Sequence, residues 1–195
     1  VGGTFEELSP DLSIRPMGMD RLNTGNAIIV DDWNDGDMSD LQAAIDLVAT
    51  SMQYNAVLVM PGYYSLSSPL RLPTNNTVRI TGLGGLDDVV IDNPNGSAAL
   101  LAGYAKIENI HFRGSPALVD TNVTSWADLE FENCSFRRDS GFPGGPVVQL
   151  QGLGECRMNR CRIDSDMDAI PLHLAGQVNV TVYDTIIERW GLPTP

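Results

Sequence analysis

Glu108 and Glu132 hold the same place in two similar hexapeptides, "IENIHF" from Ile107 and "FENCSF" from Phe131, 24 residues apart. If the two segments are strands stacked one above the other, both carboxyls leave the same face about 5 Å apart. That is the separation at which one carboxyl serves as acid and the other as nucleophile in glycoside cleavage. Carboxyls this close repel, and the pKa of one is expected to rise. If the chain is an enzyme, Glu108 and Glu132 are its candidate catalytic residues. The same column also reads as a row of solvated surface charges.

Other residues offer less. "DSDMD" sets Asp164, Asp166 and Asp168 at alternating positions, so an extended segment puts all three on one face. Such a face can hold calcium through oxygen ligands, or be an acidic corner in water. Cys134, Cys156 and Cys161 are too few and too spread for a disulfide framework, and two of them fall on inward positions of the pattern described next. They read as buried small hydrophobes. His111 and His173 lie in different columns, so no nucleophile–base pair is assigned. Tyr63, Tyr64, Trp126 and Trp190 can stack on sugars or simply pack. No cofactor is expected.

The elements that must position these residues repeat along the chain. "IENIHF", "FENCSF", "MNRCRI" and "VYDTII" each carry an apolar first residue, a polar third and an apolar sixth. Their anchors Ile107, Phe131, Met158 and Val182 are 24, 27 and 24 residues apart. Ile80 lies 27 before Ile107, and Val59 is taken as the preceding anchor, 21 before Ile80. A further short strand recurs in each repeat: "PLRL", "AALL", "ALVD", "VVQL" and "IPLHL". A period of 20 to 30 residues built from short strands signals a solenoid. One coil cannot bury its inner face alone, but the next coil, stacked about 4.8 Å away, pairs its backbone and piles like side chains inside. The expected fold is therefore all-β: a right-handed parallel β-helix of about six coils. Glu108 and Glu132 then share an outward column with Asn159 and Tyr183, and Arg113, Arg137, Asp164 and Glu188 form another. Asn109 and Asn133 fall at equivalent corners, where asparagine tolerates a left-handed backbone and can bond along the stack.

Ahead of the coils the pattern differs. Residues 1–26 show no sustained period and read as an extended arm with apolar anchors Phe5, Leu8, Leu12, Ile14 and Met17. Residues 27–195 form the β-helix domain. Within it Leu41, Ala44, Ile45 and Val48 give a helical stripe, capped by Ser39 or Asp40, for a capping helix near 40–52.

The formal net charge is −13 in 195 residues, and Lys106 is the single lysine. Binding to nucleic acid needs a basic face, so none is expected. No apolar run reaches the roughly 18 residues that cross a bilayer, and no membrane partner is expected.

"NDGDMSDLQAAID" followed by "AVLVMPGYYSLSSPLRLPTNNTVRITGLG" resembles the opening of the pectate-lyase-like superfamily, as found in phage tailspikes and related virion proteins. The likeness is close over about 34–85, and the coil pattern extends it to the last residue. It implies a parallel β-helix, often trimeric in viruses, and does not by itself imply chemistry. The resulting expectation is a phage capsid decoration (cement) protein: a homotrimer on the virion surface whose arm or coil ends touch the major capsid protein or other virion subunits. The alternative is a tailspike-like protein that binds or cleaves polysaccharide.

Overall fold

A computed structural model describes residues 26–31, 36, 40–93, 100–101, 103–114, 119–120, 123–138, 145–166 and 169–190. The anchors Phe5, Leu8, Leu12, Ile14 and Met17 of the expected arm lie outside them. The chain is a parallel β-solenoid, as the repeat predicts. Strand β1 (Ala27–Val30) and helix α1 (Leu41–Thr50) come first. The first winding is β2 (Ala56–Val59), β3 (Gly62–Ser65) and β4 (Leu70–Arg71). The second is β5 (Val78–Gly82), β6 (Val89–Asn93) and β7 (Leu100–Leu101), and the third is β8 (Tyr104–Glu108), β9 (His111–Gly114) and β10 (Val119–Asp120). Then follow β11 (Val123–Glu132), β12 (Ser135–Arg138), β13 (Gly145–Asn159), β14 (Arg162–Asp166), β15 (Ala169–Tyr183) and β16 (Ile186–Trp190).

Three parallel ladders result. One runs β1-β2-β5-β8-β11-β13-β15 and a second runs β3-β6-β9-β12-β14-β16. The third joins β4, β7, β10 and the first part of β13, which then turns the corner and continues the first ladder. The solenoid has about four turns rather than the six expected. The sequence period scores every winding alike, whereas only the windings between the first and the last have a neighbour on both sides. One anchor was also misplaced: Ile80 pairs with Val57, not Val59. Val57 and Val59 share the inward face of β2 and are both fully buried, so alternation cannot choose between them.

Like side chains pile up inside. Val57, Ile80, Ile107, Phe131 and Met158 make one column and Tyr64, Ile91, Phe112, Phe136 and Ile163 another, all buried. Phe112 and Phe136 stack with centroids 5.4 Å apart, and Phe131 meets Phe136 edge-on at 5.1 Å. Each fully buried ring stabilises the fold by about 1.5–3 kcal/mol.

The end where the chain enters is covered. Asp40 caps α1 by accepting from Ala43 N at 3.1 Å, and Leu41, Ala44, Ile45 and Val48 are buried. The Gln42 amide clasps the edge of β4: its Nε2 donates to Arg71 O at 3.1 Å and its Oε1 accepts from Arg71 N at 2.7 Å. One side chain thus stands in for the missing neighbouring strand.

Candidate functional site

The wall formed by β5, β8, β11 and β13 places Glu108 and Glu132. Successive residues of a strand point to opposite faces, so burying Ile107 and Phe131 sends both glutamates outward. They are direct partners across adjacent rungs, and Asn159 and Tyr183 continue the column. The sequence register is therefore right here.

The electrostatics run against acid–base chemistry. Glu108 Oε2 accepts from Arg79 Nη2 at 2.7 Å and Thr81 Oγ1 at 3.1 Å, and Lys106 Nζ lies 3.4 Å from its other oxygen. Burial pushes the Glu108 carboxyl up, but Arg79, Thr81 and Lys106 together hold it below the usual value. Glu132 is held down first by its bonds to Arg160, with burial opposing and Asn159 Nδ2 adding a bond of 2.8 Å. The expected rise in one carboxyl does not occur. Each glutamate faces a cation before it faces the other, and opposite charge outweighs the repulsion. A general acid working near neutral pH needs a raised carboxyl, and neither supplies one. Lys106 also reaches Glu130 at 2.8 Å, so the wall is laced by ion pairs within and between rungs.

The corners after β8, β11, β13 and β15 are left-handed residues: Asn109 (φ 56°), Asn133 (φ 50°), Arg160 (φ 51°) and Asp184 (φ 45°). Asn133 Nδ2 donates to Asn109 Oδ1 at 2.7 Å, which is the ladder expected from the sequence. The preceding corner holds Gly82, where a Cβ would collide with Asn109 O.

On the adjacent wall, Arg113, Arg137, Asp164 and Glu188 are in register. Asp164 accepts from Arg162 Nε at 2.9 Å, and Arg162 Nη2 reaches Glu188 at 2.9 Å. The calcium candidate is thus led by a carboxylate already engaged by a guanidinium. The Asp166 side chain and Asp168 lie outside the described residues. Among the described residues no group of three or more His, Cys, Asp and Glu is placed to hold a metal.

One contact was missed. His111 Nδ1 meets Ser135 Oγ on the next rung, and Asp87 Oδ1 is 3.6 Å from the same nitrogen. The 24-residue spacing of His111 and Ser135, equal to that of the anchors, was the available signal. Burial pulls the imidazole below its ordinary value, Asp87 opposing. A relay uses the two ring nitrogens separately, one for the nucleophile and one for the orienting carboxylate. Here both neighbours share Nδ1, so the cluster is a cross-rung tie. All three cysteines are free and buried, and burial pushes the Cys156 thiol up to about 12. Tyr64 is buried with its hydroxyl donating to Met60 O at 2.9 Å, whereas Tyr63 is exposed and its hydroxyl donates to Asp92. The side chains of Trp126 and Trp190 lie outside the described residues.

No protein-family model, curated protein or solved structure matches the chain.

Proposed function

We propose that the chain is a virion structural protein: a phage capsid decoration protein that assembles as a homotrimer and stabilises the capsid. The observation that carries this reading is the outer wall. Its two best-placed carboxylates, Glu108 and Glu132, are held ionised by cations on their own and adjacent rungs. Such a wall suits a rigid scaffold rather than a proton-transfer site. The pectate-lyase-like opening over about 34–85, common among tailspikes and related virion proteins, agrees with it, and the net charge of −13 disfavours contact with nucleic acid. On this reading the anchors Phe5, Leu8, Leu12, Ile14 and Met17 grip the major capsid protein or another virion subunit.

The test mixes the purified chain with empty capsids of the phage that encodes it. Saturable uptake in multiples of three, with a higher temperature of capsid rupture, is the expected result. A chain left in the supernatant, with capsids rupturing as before, overturns the reading.

A second reading, polysaccharide binding or cleavage, draws on Tyr183. It is 61% exposed and ends the column that holds Glu108, Glu132 and Asn159, where a sugar ring could stack. Release of reducing ends or unsaturated products from acidic polysaccharides, abolished by Glu132→Gln with the fold intact, would establish it.

A further inference from the structure

Three windings meet at one nitrogen. His111 opens β9 on the third winding, and its side chain is 15% exposed. Ser135 opens β12 on the following winding, in register with His111, and is only 3% exposed. Asp87 lies in the corner between β5 and β6 of the preceding winding, with its side chain 85% exposed. Ser135 Oγ and Asp87 Oδ1 both face His111 Nδ1, the carboxylate oxygen at 3.6 Å.

The two neighbours make opposite demands on that nitrogen. The serine hydroxyl has a hydrogen to place, and among the described residues His111 Nδ1 is the acceptor it meets. The nitrogen accepts only while it carries no proton, which puts the proton of a neutral ring on Nε2. A carboxylate only accepts, so Asp87 is served once Nδ1 carries a proton.

We propose that His111 is an acid-operated switch, tying β9 to β12 while its ring is neutral and to the β5–β6 corner once the ring is protonated. In the neutral ring the buried hydroxyl decides the tautomer. Leaving it without an acceptor is costly, whereas Asp87 is open to water. One proton taken from solvent then gives Nδ1 a hydrogen and the ring a positive charge. Ser135 loses its acceptor, and the charge-assisted bond to Asp87 becomes the stronger contact. The tie thus passes from the following winding to the preceding one.

The surroundings set where this happens. Burial lowers the ring's pKa, Asp87 opposes it, Arg137 on β12 lowers it, Asp164 on β14 raises it and Arg113 on β9 lowers it, leaving it below the ordinary 6.5. The stabilising effect of the neutral ring is therefore complete above the unfolded value and is lost as pH falls through the lower folded one. Acid loosens the stack between β9 and β12, whether the chain serves a capsid or binds a polysaccharide.

The experiment follows the His111 ring in the whole, isotope-labelled chain by nitrogen NMR against pH, together with hydrogen exchange of the β12 amides corrected for the intrinsic rate. The expected result is a neutral ring protonated on Nε2, a midpoint below that of the same ring in the urea-unfolded chain, and protection of β12 that falls across the midpoint. These readouts need no variant to fold. Ser135→Ala should raise the midpoint, because the neutral form loses its donor. Asp87→Asn should lower it, because the charged form loses its partner. A neutral ring protonated on Nδ1 overturns the proposal, as does a midpoint at or above the unfolded one. So does protection of β12 that is constant across the midpoint, or a midpoint that either substitution leaves in place.

Discussion

Glu132 accepts from Asn159 and Arg160 of the next winding, while Glu108 accepts from Arg79 and Thr81 of the one before. Folded, both carboxyls titrate below the ordinary glutamate value; unfolded, they titrate near about 4.3. Their contribution to stability is therefore complete above the unfolded value and is lost as pH falls through the lower folded values. Both arginines are exposed although the glutamates are mostly covered, so solvent screens the pairs and each contributes only modestly. Glu108→Gln/Glu132→Gln should thus be less stable than the native chain near neutral pH, and the gap should close on acidification. Melting temperature followed against pH measures it; a gap that is flat or widens with acid would sink the charge argument. The corner asparagines make a second residue-scale prediction. Asn133 is left-handed at φ 50° and donates to Asn109. Asn133→Ala and Asn133→Gly both lose that bond, but only alanine meets the left-handed penalty. Denaturant titration should place the alanine variant lower by about 1 kcal/mol. These side-chain preferences were legible in the sequence. The suppressed carboxyl pKa values were not, because Arg79 and Arg160 lie 29 and 28 residues from the glutamates they hold.

Among the elements, α1 was readable because its apolar stripe is local: Leu41, Ala44, Ile45 and Val48 recur at helical spacing and all four are buried. The strands were readable because each repeats the shape of the one before. Register could be taken from the hexapeptides at 107, 131, 158 and 182, and it failed at β2, where Val57 and Val59 share the buried face and nothing local chooses between them. What no local pattern reveals is a contact between unlike elements. Gln42 on α1 clasps both the N–H and the C=O of Arg71 in β4. The helix therefore does more than cover apolar residues, since it also satisfies the backbone of an edge strand. Gln42→Ala leaves those two groups to solvent and should cost about 0.5–1.5 kcal/mol for each bond lost. For a chain of this size each kcal/mol lowers the melting temperature by about 2–4 °C. Thermal unfolding checks the loss, and exchange of the Arg71 amide should quicken before that of the interior strands. Equal exchange in variant and native protein would show that the clasp is incidental.

Over the whole molecule, stability is distributed along columns, and the position of a residue in its column sets its worth. Phe136 has Phe112 on one side and Ile163 on the other and is fully buried. Ile187 ends the same column and is 49% exposed. Truncating the interior member opens a cavity between two fixed rungs, so Phe136→Ala should cost about 3–5 kcal/mol. Ile187→Ala removes a side chain that has a neighbour on one side only. In dilute protein its cost should fall below the roughly 2–5 kcal/mol of a buried Ile→Ala change. Chemical denaturation of both variants measures the two costs. A cost at Ile187 equal to that at Phe136 would mean that place in the column does not set a residue's worth.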